Sequence, residues 1–389
     1  LHIVEYPFNL NTQIDQIILL KQAYNHGGLT MDVSFFPAVF YPAGAGPYGI
    51  VTADFNGDGH MDLAVAVTGD GTVAILLGNS DSTFQTAVFY DVGANPIGIA
   101  AADFNGDGKL DLAVADSNGG DVAVLLGNGD GTFQTALGFA AGSNPYGIAT
   151  ADFNGDGKID LAVSDLGSNN VNLLLGNGDG TFQAPTSFPV GSTPEGIVAA
   201  DFNGDGKIDL AVADSDSNNI AILLGNGDGT FQPAVFYSAG TYPIEIAVAD
   251  FNGDGKLDLA VANSDSGNVA VLLGNGDGTF QPATFFTSGS LSTGIVAADF
   301  NGDGKLDLAV ANGGSNNVAM LLGNGDGTFQ AAQLFPVGTY PVEIAAADFN
   351  GDGKIDLAVT DNSANNVAVL IQTRRFTEIV NLTWAQAVV

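Results

Sequence analysis

The chain has 389 residues, with 9 Lys and Arg against 43 Asp and Glu for a formal net charge of −34, and it contains 54 glycines and no cysteine. That field repels phosphate backbones and anionic headgroups, so nucleic acid and anionic membrane are poor partners. Disulfides and thiolate metal centres are excluded by composition, and no run of 18 apolar residues offers a membrane-spanning helix.

The chain begins at Leu1 rather than Met, as expected of a processed or excised segment. Residues 1–33 do not share the pattern of the remaining chain. Asn11-Thr12 is placed to cap a short helix with Ile14, Ile17, Ile18 and Lys21 on one side, ending at Gly27-Gly28; the alternative is an irregular arm.

From Val33 onward a single unit recurs. Asp103-Phe104-Asn105-Gly106-Asp107-Gly108-Lys109-Leu110-Asp111 has counterparts starting at Asp54, Asp152, Asp201, Asp250, Asp299 and Asp348, each 49 residues after the last. A fixed period near 50 marks one repeat domain rather than several ordinary ones. The unit over residues 97–145 resolves into four short strands: Gly98–Asp103, Leu112–Ala115, Val122–Gly127 and Phe133–Ala140. They are joined by the nonapeptide, by a polar turn at Asp116–Asp121 and by Asn128-Gly129-Asp130-Gly131, and Gly142–Pro145 leads into the next unit. Such a meander, with middle strands apolar on both faces, needs cover on both sides, which radial stacking supplies. The expected fold is all-β, a seven-bladed β-propeller of four-stranded antiparallel blades over residues 34–372.

Residues 34–41 align with residues 230–237, the fourth strand of a later unit, whereas after Ile371 the expected turn and strand are replaced by Gln372-Thr373-Arg374-Arg375-Phe376. An N-terminal strand completing the last blade would therefore close the ring and remove an open edge. The tail, residues 373–389, alternates Val380, Leu382 and Trp384 and suits an extra strand or a docking segment.

The nonapeptide presents oxygens at positions 1, 3, 5 and 9, with a carbonyl at position 7. The sets are Asp54, Asn56, Asp58, His60 and Asp62; Asp103, Asn105, Asp107, Lys109 and Asp111; Asp152, Asn154, Asp156, Lys158 and Asp160; and Asp201, Asn203, Asp205, Lys207 and Asp209. The other three are Asp250, Asn252, Asp254, Lys256 and Asp258; Asp299, Asn301, Asp303, Lys305 and Asp307; and Asp348, Asn350, Asp352, Lys354 and Asp356. His60 and the lysines would act through their carbonyls, with their side chains turned outward. Three crowded carboxylates with intervening glycines suit Ca²⁺, about one ion per blade. An EF-hand would close with Glu at position 12, which here is Val114, so Asp111 is expected to close the site. The competing reading is a solvated Asx/Gly turn. Loops of this affinity class work at extracellular calcium levels, which points to a secreted or cell-surface protein. The second acidic turn, with Asp81, Asp130, Asp179, Asp228, Asp277 and Asp326, carries one carboxylate per copy and is expected to be a type I turn with a glycine bulge.

Asp-Phe-Asn-Gly-Asp-Gly-Lys-x-Asp-Leu-Ala-Val followed by Leu-Leu-Gly-Asn-Gly-Asp-Gly-Thr-Phe-Gln resembles the FG-GAP/VCBS repeats of integrin α propellers and many bacterial secreted or surface proteins. The resemblance implies calcium loops between strands 1 and 2 on one face, and ligands on the opposite face through the 2–3 and 4–1 loops. The FG and GAP elements survive only as Gly44-Ala45-Gly46-Pro47.

Symmetry breaks at the 4–1 connections. Gly49, Gly98, Gly147, Gly196 and Gly294 share their position with Glu245 and Glu343, and the preceding position holds Tyr48, Ile97, Tyr146, Glu195, Ile244, Thr293 and Val342. These are either a tuned ligand site or, more simply, solvated rim residues. His2, His26 and His60 are the only imidazoles, and no nucleophile elbow or phosphate loop occurs, so catalysis is not expected. The expected function is a non-catalytic binding or adhesion module for a protein or glycan. The alternatives are a structural subunit that self-assembles through its termini, and a polysaccharide hydrolase or lyase.

Overall fold

The computed structural model describes residues 33–373. The helix expected within residues 11–28 and the strand expected at Phe376–Trp384 lie outside the described residues.

The repeat folds as its turn chemistry dictates. In blade two the strands are Pro96–Ala102, Asp111–Asp116, Asp121–Leu125 and Leu137–Ala140, paired antiparallel in sequence order. Among the described residues seven such four-stranded sheets form, the innermost strands starting at Pro47, Pro96, Pro145, Pro194, Pro243, Ser292 and Pro341. Each innermost strand packs against those of its two neighbours, the first against the last, so the sheets stand in a ring. The seventh sheet takes Val39–Pro42 as its outermost strand, paired antiparallel with Asn366–Leu370.

All four strand limits differ from the sequence-based expectation, the middle two by one or two residues at each end and the outer two more instructively. The first strand starts two residues earlier, at Pro96. The fourth is shorter than Phe133–Ala140, because Phe133 forms an isolated bridge to Gly127 and regular pairing resumes only at Leu137.

Packing explains the doubly apolar middle strands. Asp111–Asp116 is buried at every residue, and the next strand is buried beyond Asp121. Seven apolar clusters form, one between each pair of adjacent blades; that between blades two and three contains Phe104, Val122, Val124, Leu161, Val163 and Phe182. No blade has a core of its own, so each face needs a neighbour. Outer strands face water and leave Phe40, Val88, Phe89, Val235, Phe236 and Phe285 about half exposed.

A polar tie fixes every loop to its own blade, and a second fixes six of the seven to the next blade. The position 9 Asp is buried: Asp111 accepts the Phe104 N–H on one oxygen (2.9 Å) and the Gly127 N–H on the other (2.8 Å). Position 2 supplies the second tie. The Phe104 carbonyl accepts the Gly180 N–H of blade three at 3.1 Å, and the Phe104 ring meets Phe182 edge-on at 5.6 Å. The last blade lacks the glycine turn, and Gln372 replaces it, its backbone N–H donating to Asp356 (2.7 Å) and its Nε2 to the Phe300 carbonyl (2.6 Å).

Because Phe182 sits between Phe104 and Phe139 at a blade interface, Phe182→Ala should lower unfolding free energy by about 3 kcal/mol. Equilibrium urea unfolding measures this.

Candidate functional site: loop face and axial cavity

The seven loops lie at the end of each innermost strand, all on one face of the ring. Asp103 Oδ1 accepts the N–H groups of Gly106 (2.7 Å) and Asp107 (3.2 Å), and its Oδ2 accepts that of Gly108 (2.8 Å). Asn105 Oδ1 accepts the Asp107 N–H at 2.8 Å and Asp107 Oδ1 the Lys109 N–H at 3.0 Å. Gly106 and Gly108 have φ of 74° and 81°, a conformation costly for residues bearing a Cβ. Asp54, Asp152, Asp201 and Asp250 repeat the whole pattern, and Asp299 and Asp348 keep the bonds from the fifth and sixth positions.

Position 9 does more than close a loop. Asp62, Asp111, Asp160, Asp209, Asp258, Asp307 and Asp356 are all buried and each bridges its loop to the 3–4 turn of its own blade. Burial is the largest influence on these carboxyls, and repulsion from positions 1 and 5 adds to it in every blade. Asp62, Asp160, Asp307 and Asp356 are pushed up to about 6, and Asp111, Asp209 and Asp258 are raised in the same direction. Three carboxylates close enough to repel one another, with an amide oxygen among them, fit a hard divalent cation in charge and donor type. As the side chains stand, no three acidic or histidine groups among the described residues converge as a finished metal centre.

Position 7 lysines do not simply point outward. The Lys109 stem runs where a Cβ on Gly129 would sit, and its ammonium lies 3.5 Å from Asp107. Both partners are about 40% exposed, so the pair adds little stability. In the second acidic turn, Asp130 Oδ1 accepts both the N–H (3.0 Å) and the hydroxyl (2.5 Å) of Thr132, and these bonds hold its pKa below the ordinary value. The turn satisfies its own carboxylate.

At the opposite end of the innermost strands the copies diverge. The residues expected at a solvated rim lie instead within those strands, and those of blades one to three, with Glu245 and Glu343, line an axial cavity. Gly49, Gly98, Gly147, Gly196 and Gly294 each bring the next blade's carbonyl so close that a Cβ would meet it at 2.1–2.8 Å. Glu245 and Glu343 replace that glycine in blades five and seven. A cavity of about 160 Å³ results, bounded by Tyr48, Ile97, Tyr146, Ile197, Glu245 and Glu343. The Tyr48 and Tyr146 hydroxyls hydrogen-bond across it, their rings edge-on at 6.0 Å.

Burial governs the charge of this site. Glu245 is raised to about 7 by desolvation and Glu343 is raised well above its ordinary value by desolvation and by Glu245. Glu195, buried beside them, also rises to about 7 although it accepts the Ser215 hydroxyl at 2.9 Å. Two of the three described glutamates thus line the cavity and the third, Glu195, is buried beside them, an arrangement the sequence signalled only as a break in the repeat. Ser215 and Thr360 were missed; their hydroxyls tie Glu195 Oε1 and the Tyr48 carbonyl (2.7 Å), and the hydroxyl of Thr293, one of the symmetry-breaking residues, ties the Val342 carbonyl (2.6 Å).

The FG-GAP-like repeat pattern matches residues 54–114, 103–163, 152–212, 201–261, 250–310 and 299–359. No curated protein matches the chain significantly. Among solved structures the chain is similar to BBS1N in complex with ARL6DN (TM-score 0.63, 15% identity, 87% of this chain and 97% of that one). It is also similar to a lectin from Agrocybe aegerita that recognises non-reducing terminal N-acetylglucosamine (TM-score 0.54, 21% identity, 85% and 86%) and to a streptogramin B lyase (TM-score 0.58, 16% identity, 88% and 98%). At these identities the likeness is one of fold alone, and a lectin and a lyase share it. With six overlapping matches running from residue 54 to residue 359, the chain belongs to the FG-GAP-like repeat family.

Proposed function

We propose that this protein is a secreted or cell-surface, calcium-stabilised propeller that binds a protein or glycan without catalysing its conversion. The observation that carries the reading is the division of labour between the two faces. One face carries seven copies of the same acidic loop, and the other holds an irregular polar cavity.

Calcium would be held in each blade by the side chains at positions 1, 3, 5 and 9 and the position 7 carbonyl, for example Asp201, Asn203, Asp205, Asp209 and the Lys207 carbonyl. The ion would neutralise carboxylates that otherwise repel one another. With Kd near 0.1 mM and calcium near 1 mM, each site adds about 1.4 kcal/mol and seven add about 10 kcal/mol, comparable with the net stability of a whole domain.

Ligand would meet the face where Tyr48, Glu245 and Glu343 open. Carboxyl and phenol oxygens there suit a hydrogen-bond donor such as a sugar hydroxyl or an amine, and the surrounding 4–1 and 2–3 loops would carry the rest of the contact. Non-catalytic action is supported by the cavity's chemistry. Its lining has no imidazole, and the charge of Glu343 is disfavoured by burial and by the neighbouring Glu245. Assembly through residues 1–33 and 373–389 is the second reading, resting on those segments lying outside the repeat.

Chelation with EGTA should lower the melting temperature by more than 10 °C (seven sites at about 1.4 kcal/mol each), measured by calorimetry; a melting point indifferent to chelation defeats the calcium reading. A glycan and protein array probed in calcium should give saturable binding that Glu245→Gln and Glu343→Gln together weaken about tenfold (one good hydrogen bond). Turnover of an arrayed polymer would instead establish an enzyme. A chain cut to residues 34–372 should remain a monomer that binds the same targets; loss of a wild-type oligomer together with the binding would favour the assembly reading.

A further inference from the structure

The second strand of each blade from two to seven ends on Asp or Asn: Asp116, Asp165, Asp214, Asn263, Asn312 and Asp361. In blades three to seven the cross-strand partner of that residue is an Asn. In blades five and six the pair is joined amide to amide: Asn263 Nδ2 donates to Asn268 Oδ1 at 2.9 Å, and Asn312 Nδ2 donates to Asn317 Oδ1 at 3.0 Å. Blade three solves the problem differently. Asp165 accepts the N–H groups of Ser143, Asn144 and Gly167 and the Ser168 hydroxyl, and those bonds hold it ionised against its burial.

Blades four and seven have neither solution. Asp214 and Asp361 are completely buried, neither oxygen of either carboxyl has a hydrogen-bond partner, and the facing Asn219 and Asn366 Oδ1 atoms are equally unpartnered. The donors that serve Asp165 are diverted. Thr193 and Tyr340 adopt φ of 56° and 58°, which turns their N–H groups to Asn169 Oδ1 (3.0 Å) and Asn316 Oδ1 (2.9 Å) of the preceding blades. Rotating the facing amides would offer each carboxyl a donor only by giving up the bond the amide already makes. Asn219 Nδ2 donates to the Ser217 carbonyl at 3.3 Å and Asn366 Nδ2 to the Ala364 carbonyl at 3.1 Å, so a flip would set oxygen against oxygen. Asn317 is oriented the same way by the Ser315 carbonyl, and its Oδ1 then receives the Asn312 amide.

One proton per pair partners two of the three orphan oxygens and removes the charge from the third. We propose that Asp214 and Asp361 are kept as carboxylic acids, each donating its proton to the facing Asn219 or Asn366 Oδ1 as Asn312 does to Asn317, and that blades four and seven thereby carry two buried proton-binding sites. An ionised carboxylate there would face an amide oxygen with no donor, a buried charge without compensation.

The electrostatic setting agrees. Burial pushes both groups up to about 7, opposed only by the Gly191 and Gly338 N–H groups, which approach the carboxyls without reaching hydrogen-bond geometry. Titratable groups on the surrounding elements include Glu195, Asp216 and Tyr242 for Asp214, and Tyr48, Tyr340 and Glu343 for Asp361; none of them is among the causes that move either carboxyl. The folded chain therefore holds these protons above the ordinary aspartate value of 3.8, where the unfolded chain has released them. Stability falls as pH rises from about 4 towards 7 and levels off above that. The next residues along, Ser215 and Thr360, hold Glu195 Oε1 and the Tyr48 carbonyl at the axial cavity, so ionisation would loosen that cavity's supports.

The test is the melting temperature of wild type, Asp214→Asn, Asp361→Asn and the double variant between about pH 5 and pH 8.5 at fixed calcium, a range spanning the ordinary and raised values. Asparagine stands at this position in blades five and six, so the variants should fold. They should melt close to wild type at the acid end and several degrees above it at the alkaline end, whereas Asp165→Asn should melt lower throughout. Carbon-13 titration of the wild-type carboxyls should give midpoints near 7 that vanish one by one in the single variants. A gap between wild type and double variant that does not change with pH, or midpoints near the ordinary value, would overturn the proposal.

Discussion

A buried carboxylate that accepts two backbone N–H groups is the interaction on which the ring depends. Asp111 and its six counterparts join the loop after the first strand to the turn after the third, so two connections that would otherwise be independent become one rigid corner. Hydrogen bonds to a charged acceptor contribute about 1.5–3 kcal/mol each, and with the acceptor removed the two donors would be left buried and unpaired. The fixed corner sets the position 2 carbonyl where the next blade's turn can donate to it, and carries the position 2 Phe into the inter-blade core. Each blade thus holds its own loop and offers the next one a place to dock.

The same arrangement explains why departures from the repeat are compensated rather than merely tolerated. Gln372 has no glycine turn after it, yet its side-chain amide reaches the Phe300 carbonyl that a glycine N–H would otherwise satisfy. Val39–Pro42, from the other end of the described chain, takes the outer position in that sheet. An interface that needs a donor and a strand at fixed places accepts them from wherever in the chain they come.

Near the axis the constraint is steric. Five blades place glycine where the next blade's carbonyl passes, and the two that place glutamate there line the axial cavity with it. Repetition makes the walls, and substitution within the repeat furnishes the cavity. The Asp and Asn residues ending the second strands obey the same logic: one backbone position meets different neighbours in different blades, and its protonation depends on the donors that the loop conformation leaves available.

The sequence by itself determined the period, the number of blades, the four-strand meander and the acidic loops, because these rest on local turn chemistry and on apolar strands that demand cover on both faces. It also marked Glu195, Glu245 and Glu343 as breaks in the pattern. Their place in or beside the cavity was decided by tertiary structure, since whether residues after a Pro belong to a loop or a strand depends on pairing with Asp116 and its equivalents rather than on propensity. Only the assembled ring reveals that position 9 is a buried strut, and that Asp165 is saturated with donors while Asp214 and Asp361 have none. Hydrogen-bond supply is a property of neighbouring blades, and the same two letters in the sequence carry different charge according to what those neighbours turn towards them.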